Sequence, residues 1–492
     1  MSRYVFLFAI AMLFFACETK TPPPPTIDPP AAFGPVPSKA QLDWHEMQYY
    51  MFVHFNMNTF TNKEWGYGDE SPELFNPTEL DTDQWAETAK EAGMKGIILT
   101  AKHHDGFCLW PSAYTEHSVK NSAWKEGKGD VIKELAASCK THGLKMGLYL
   151  SPWDRNHAEY GEEAYLSYFH NQIKELLSNY GEVFEFWFDG ANGGDGYYGG
   201  AKETRKVDRN AYYKWQETFD LVHSLQPNTL IFSDGGPDIR WVGNEKGFAN
   251  EENWATLRRE EVYPGYPNYK ELTTGHRDGS HWVPAEVDVS IRPGWYYHPE
   301  QDSQLKSLDE LMEIYYSSIG RNANLLLNVA VDQRGKIPAM DSTRLMEFAA
   351  AREAEFSEDI AKGVKVSTYS TYKKSPQFDG SMMNDGDPTT YWATDEFSNS
   401  NYGILEFGRP KKFNRILLQE YVALGQRVDS FAVSARRGGQ WDLLAWGCSI
   451  GNKRILKLDE TVFTNRLAID IVRAKAPPMI ANVEVYYVEE EE

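Results

Sequence analysis

The chemistry this sequence can offer is concentrated in two acidic side chains and a pair of adjacent histidines. Phe184-Glu185-Phe186-Trp187-Phe188-Asp189-Gly190 ends an apolar, aromatic run in an aspartate, and Gly190 lets the backbone turn away. A carboxylate fixed at a strand end is held rigidly, as a nucleophile must be to approach a carbon centre in line. An isolated Asp-Gly after a strand is first of all a turn; set among similar polar bursts, Asp189 reads as catalytic. A second carboxyl, able to protonate a leaving group, is best supplied by Glu245, at the end of Gly236-Pro237-Asp238-Ile239-Arg240-Trp241-Val242-Gly243-Asn244-Glu245. That stretch reads as a loop after the next strand. Asp234, Asp238, Glu251 and Glu252 compete with Glu245, because an acid of this kind needs partial burial to raise its pKa.

Lys102-His103-His104-Asp105-Gly106-Phe107 invites a metal. Adjacent histidines at a strand end point in different directions, however, and no HExxH or spaced carboxylate set completes a zinc site. Neutral imidazoles instead hydrogen-bond hydroxyl groups, which is the preferred reading. A metal-dependent hydrolase using His103, His104 and Asp105 remains a distinct third reading.

These residues need elements that bring them together. Between about residues 40 and 355, apolar strands (49–56, 96–101, 145–150, 183–189, 229–233 and 325–329) alternate with amphipathic helices, among them 83–92, 129–139 and 165–177. Such alternation predicts a parallel β/α barrel, with an open doubly wound sheet as competitor. Several strands end in polar, aromatic bursts: His54-Phe55-Asn56, the His103-His104 segment, Ser151-Pro152-Trp153-Asp154-Arg155, Asp189-Gly190 and Ser233-Asp234. In a barrel these ends meet at one face, where barrel enzymes build their sites. Residues 356–492 read differently. Short alternating strands with turns, near 402–407, 415–419, 430–435, 466–472 and 481–488, predict a β-sandwich.

Composition narrows the ligand. A net charge of −21 spread along the chain opposes nucleic acid and anionic membrane surfaces. Aromatic residues make up 14% of the chain; their faces suit the C–H faces of sugar rings, and equally suit β-rich cores. For a sugar substrate the carboxyl spacing matters: about 5–5.5 Å gives retention and about 6.5–9.5 Å inversion.

At the N-terminus, Arg3 precedes an apolar run from Tyr4 to Phe15, then Ala16 and Cys17. Residues 1–17 read as a lipoprotein signal peptide with Cys17 acylated, and 18–39 as a Pro-rich tether. A plain secretory signal with a chance cysteine is the alternative. The expected location is the envelope of a Gram-negative-type bacterium, periplasmic or outer-surface, with membrane contact only through Cys17. Cys108, Cys139 and Cys448 lack a CxxC spacing and indicate neither a disulfide framework nor a cysteine zinc site.

Taken in order, His54-Phe55, Lys102 to Phe107, Ser151 to Asn156, Trp187 to Gly190 and Gly236 to Glu245 resemble glycoside hydrolase family 29, the α-L-fucosidases, over about residues 40–350. The resemblance implies a retaining double displacement in a (β/α)8-like barrel that needs no metal or other cofactor and acts on a fucosylated oligosaccharide or glycoconjugate. It assigns Asp189 as nucleophile and Glu245 as proton donor, the latter on the pattern of the subgroup preferring α-1,3/1,4-linked fucose. It implies fucose contacts from His54, Glu64, His103, His104 and Trp187. Trp153 and Trp295 would line the pocket, with Asp154 and Arg155 reaching the neighbouring sugar. His-Phe-Asn stands at 54–56 where many relatives have His-Trp-Gly, so one pocket wall is expected to differ; residues 191–208 look like a loop insertion. Asn384 to Trp392 resembles discoidin-like (F5/8 type C) domains, which include family 32 carbohydrate-binding modules. There Asp385 and Asp387 could hold a structural Ca²⁺ or be ordinary turn residues. The competing function is a non-catalytic, fucosylated-glycan-binding lipoprotein on a hydrolase scaffold; the retained Asp189 and Glu245 argue against it.

Overall fold

The computed structural model describes residues 27–395 and 401–489. The expected signal segment, Cys17 and the first part of the tether lie outside the described residues.

Eight parallel strands close into a barrel: β1 (Tyr49–Val53), β2 (Gly96–Lys102), β3 (Lys145–Leu150), β4 (Glu185–Trp187), β5 (Leu230–Ser233), β6 (Ile239–Trp241), β7 (Ala285–Ser290) and β8 (Ala323–Asn328). Each pairs with its neighbours in chain order, and β8 returns to β1. Strand alternation sorts the side chains into two cores. Tyr50, Phe52, Tyr149, Trp187, Phe232 and Leu326 point inward and fill the barrel. Met51, Leu99, Leu148, Phe186, Val287 and Leu327 point outward, beneath the helices. Fully burying one such side chain contributes about 1.5–3 kcal/mol.

Helix α1 (Lys39–Met47) carries Trp44 and Met47 into the inner core and closes the barrel at the N-terminal strand ends. The outer helices include α2 (Thr82–Glu91), α3 (Val131–His142), α4 (Ala164–Asn179), α5 (Trp215–Leu225), α6 (Leu308–Ser317) and α7 (Ala339–Glu355). Their starts are written in the sequence. Asp81 and Asp130 accept from the backbone N–H of Gln84 and Lys133 at 3.0 and 2.9 Å, and Ser307 with Glu310 forms a capping box.

The stretch expected as a loop, Gly236 to Glu245, contains β6 instead. Only residues 234–238 join β5 to β6, without a helix. β6 escaped notice because three residues show no periodicity and one of them is Arg240. That fully buried guanidinium is satisfied by the Leu272 carbonyl at 3.0 Å and Asn253 Oδ1 at 2.7 Å. β7 was hidden by its inward acids, Glu286 and Asp288.

The C-terminal domain is all-antiparallel: β9 (Lys365–Thr368), β10 (Trp392–Ala393), β11 (Tyr402–Glu420), β12 (Val428–Arg437), β13 (Gln440–Cys448), β14 (Arg454–Ala474) and β15 (Met479–Tyr486). The order is β10-β15-β11-β14-β12-β13, with β9 on β11. Register shifts between Glu406 and Lys411, and again between Phe413 and Arg415, interrupt the β11–β14 ladder. Such bulges bend a strand, and the sheet surrounds a core of Leu405, Phe413, Val433, Leu467 and Val483. Asp385 and Asp387 hold the turn that contains them: their carboxylates accept from Asp387 N–H at 2.8 Å and Thr389 N–H at 2.9 Å. That is an Asx-turn arrangement.

The described end of the expected tether is pinned, not free. Arg427 donates to the Ala31 carbonyl at 2.7 Å, and Phe33 N–H to the Leu424 carbonyl at 3.1 Å.

Candidate active site

The C-terminal strand ends open on one cavity of about 330 Å³. Seven strands, or the loops directly after them, line it: His54 from β1, His103 and His104 from β2, Tyr149 from β3, Trp187 and Asp189 from β4, Asp234 from β5, Trp241 and Glu245 from β6, Asp288 and Trp295 from β7. The eighth supplies Asn328, which holds His54 at 2.7 Å. Trp187 forms the floor, stacked on Phe232 with ring centroids 3.8 Å apart. Its indole N–H donates to the buried Glu286 at 2.8 Å.

Asp189 stands two residues beyond β4. Its Oδ2 accepts from Tyr149 OH at 2.9 Å and its Oδ1 from Ala191 N–H at 2.7 Å. Gly190 is required by close approach, since a Cβ there would lie 2.2 Å from Asp234 Oδ2 and 2.5 Å from Gly265 N. Burial pushes the Asp189 carboxyl up, while its two donors pull the other way. Glu245 lies four residues beyond β6 and receives one long contact, from Trp295 Nε1 at 3.4 Å. Burial raises its pKa, and the negative charge of Asp189 raises it further. Two close donors against one distant one leave Asp189 the better site for the negative charge and Glu245 the better site for the proton.

Two more acids share the cavity. Burial, then the charge of Asp189, pushes Asp234 up to about 7. Asp288 is raised well above the usual range by burial and by the charges of Glu245 and Glu286, although Trp241 Nε1 donates to it at 2.7 Å. Protonation spares the pocket four adjacent negative charges.

The histidines are neutral, and their hydrogen bonds fix their tautomers. Burial lowers His54 and His104 to about 3 and takes His103 well below the ordinary range. The Asn328 amide nitrogen donates to Ser290 Oγ at 2.9 Å and the Trp295 carbonyl at 2.8 Å, so its oxygen faces His54. His54 therefore carries its proton at Nδ1. Ser151 Oγ gives its hydrogen to the Trp153 carbonyl at 2.6 Å and so accepts from His104 Nδ1 at 2.7 Å. Both rings present a bare Nε2 lone pair. His103 Nδ1 faces the Asn58 amide nitrogen at 3.4 Å, which assigns its proton to Nε2. Two acceptors and one donor suit a ligand rich in hydroxyls.

Four sequence-derived contacts lie outside the cavity wall. Glu64 accepts from Trp295 N–H at 2.9 Å and lies 2.6 Å from His298 Nε2, bracing the loop that carries Trp295. Asp154 is buried against Lys102 at 3.0 Å and also accepts from Asn156 and His157 N–H at 3.0 and 2.9 Å. Arg155 donates to the Tyr197 and Gly66 carbonyls at 2.6 and 2.5 Å. Trp153 packs behind His104 and Trp65. Trp65, Tyr149, Trp241, Tyr269 and Asp288 line the cavity without having been singled out. Trp65 adjoins Glu64 in sequence, and Tyr149 lies on the inward face of β3; Asp288 gave no signal.

Ligand atoms of His103, His104 and Asp189 lie within 4.8 Å of one another, the only such group of three among the described residues. Asp105 does not join them. Its carboxylate faces away, accepting from Phe107 N–H at 2.7 Å and Asn56 Nδ2 at 3.0 Å, which removes the metal reading built on it.

Known proteins share this arrangement of sequence and fold. The α-L-fucosidase family model matches residues 32–351. The chain is 40% identical to α-L-fucosidase 1 of Arabidopsis thaliana over 463 residues, covering 93% of this chain and 88% of the plant protein. A glycoside hydrolase 29 family member from an unknown rumen bacterium superposes with a TM-score of 0.83 at 45% identity, over 94% of this chain and 79% of that one. The Ruminococcus gnavus GH29 fucosidase in complex with fucose gives 0.84 at 29% identity, over 94% and 97%. With the family model spanning the whole barrel and relatives matched along nearly the full length, the chain belongs to glycoside hydrolase family 29, the α-L-fucosidases.

Proposed function

We propose that the protein is a retaining exo-α-L-fucosidase with a preference for α-1,3/1,4-linked fucose. The observation that carries this reading is Asp189 and Glu245 opening on one cavity beside three neutral imidazoles. Fucosidases need no cofactor for catalysis, and each step here belongs to a side chain. Asp189 attacks the anomeric carbon as the glycosidic C–O bond breaks and Glu245 delivers its proton to the departing oxygen. Glu245, now a carboxylate, then takes a proton from water as the water oxygen displaces Asp189. The lone pairs of His54 and His104 accept from two fucose hydroxyls, and His103 donates to a third oxygen. We further read residues 1–17 as an export signal leaving a lipid anchor on Cys17, and the C-terminal domain as discoidin-like.

Asp189→Ala is expected to abolish turnover of an aryl α-L-fucoside while still binding fucose. Glu245→Ala should be rescued by azide, which displaces Asp189 from the fucosyl-enzyme and gives an α-fucosyl azide visible by NMR. Unchanged activity in either variant removes that assignment. A Lewis-type trisaccharide, 2′-fucosyllactose and an aryl fucoside assayed in parallel test the linkage; cleavage of 2′-fucosyllactose as fast as the trisaccharide overturns the preference.

A further inference from the structure

We infer that the floor of this cavity is also an inhibitory zinc-capture site, in which His103, His104 and Asp189 hold one Zn²⁺ that blocks the pocket. That the ion competes with sugar rests on the function proposed above; that it binds rests on geometry alone.

A tetrahedral Zn²⁺ with Zn–N and Zn–O distances of about 2.0–2.2 Å sets neighbouring ligand atoms about 3.3–3.5 Å apart. His104 Nε2 and Asp189 Oδ2 are 3.6 Å apart. No hydrogen lies between them when His104 is neutral, because the Trp153 carbonyl, Ser151 and His104 Nδ1 form a chain that strips Nε2 of its proton. A lone pair and a carboxylate oxygen thus face each other at nearly the separation one ion imposes. The third ligand atom, from His103, lies within 4.8 Å of both. Coordination through His103 Nε2 moves that ring's proton to Nδ1. Asn58 Oδ1, buried without a partner, can receive it once the amide turns over and gives up its 3.1 Å bond to the Glu64 carbonyl.

Two imidazoles and one carboxylate form a nitrogen-rich set that suits Zn²⁺, Ni²⁺ or Cu²⁺ over Mg²⁺ or Ca²⁺. The histidines are nearly fully buried, at 4% and 1% exposure, so their rings are held in place before an ion arrives. The fourth position opens on the cavity. Coordination occupies Asp189 and the ring nitrogens that would hold sugar hydroxyls, so the ion excludes substrate.

The test titrates EDTA-treated full-length protein calorimetrically with ZnCl2 at neutral pH, with and without saturating L-fucose. Rates on an aryl fucoside are measured in parallel. One site is expected, displaced by fucose, reversed by EDTA and not mimicked by MgCl2. Inhibition raises KM and leaves kcat unchanged. Affinity falls about 100-fold or more in His104→Ala and Asp189→Ala and persists in His54→Ala. Where His104→Ala loses its fold by circular dichroism, His104→Gln replaces it. CoCl2 bound in place of zinc gives tetrahedral visible bands. Absence of a site overturns the inference. So does a site that survives both substitutions or ignores fucose, as one on the peripheral pairs His142–Asp83 or His281–Glu260 would. Zinc bound in the expected pattern by a protein that cleaves no fucoside sinks the function and spares the site; an active enzyme that binds no zinc does the reverse.

Discussion

Ser151 decides what His104 can do without itself lining the cavity. Because its hydrogen is committed to the Trp153 carbonyl, it can only accept from His104, and the imidazole turns a lone pair to the pocket. Ser151→Ala frees the ring to take the other tautomer. KM for an aryl fucoside is expected to rise about tenfold, the scale of a lost supporting hydrogen bond to a functional imidazole, with kcat changed less. An unchanged KM would mean that the tautomer is fixed elsewhere. Asp234 makes a second residue-scale case. Its carboxyl ordinarily titrates at 3.8 and in the fold keeps its proton up to about 7. Between those values the folded state binds more protons than the unfolded one, so stability falls as pH rises through the window. Asp234→Asn removes that loss while its amide oxygen can still accept from Gly265 N–H, now donating at 2.8 Å. Tm should change little at pH 4 and rise by pH 8, with an upper limit on the order of 4 kcal/mol. A Tm difference independent of pH would show that Asp234 ionises normally in the fold.

The elements show how far pattern alone reaches. β2, β3, α2 and α3 were legible because their apolar periodicity runs for six residues or more. The convergence of polar strand ends was legible because the C-terminal ends of parallel barrel strands all meet at one face. What could not be read was how each polar side chain is spent. Asp154 was expected at the neighbouring sugar through the family resemblance; in the fold Lys102 and the backbone of its own turn engage its carboxylate. Asp154→Ala therefore leaves Lys102 buried and unpaired, and should cost about 3–5 kcal/mol in denaturant unfolding; a loss under about 1 kcal/mol would mean that Gln172, 2.9 Å from Lys102 Nζ, suffices. Gly190→Ala separates position from stability. Its Cβ meets Asp234 and the Gly265 backbone, so the loop beyond Asp189 must shift. A displacement of about 1 Å costs on the order of 100-fold in kcat, with far-UV circular dichroism unchanged; full activity would show that the turn gives way without moving the carboxylate.

At the scale of the whole molecule the second domain is part of the barrel's own stability. Leu417, Ile455 and Tyr486 of the C-terminal sheet join the cluster beneath the barrel helices. Arg277 forms a two-point pair with Asp429 at 2.6 and 2.5 Å. Asn253 N–H donates to Ser449 Oγ at 3.0 Å, and Ala255 N–H to Gln426 Oε1 at 2.7 Å. These last two contacts hold the segment between β6 and β7, which follows the loop carrying Glu245. Removing residues 356–489 would strip apolar cover from the outer core and release that segment together. The intact protein is therefore expected to unfold in one transition, with near-UV signal and activity lost at the same temperature. A 27–355 fragment should be poorly soluble and lose kcat more than it loses fucose binding, since Glu245 is tethered through the interface while His54 and His104 are held within the barrel. Two separate transitions in the intact chain, or a soluble fragment with full kcat, would show instead that the barrel is self-sufficient and the sheet only attached.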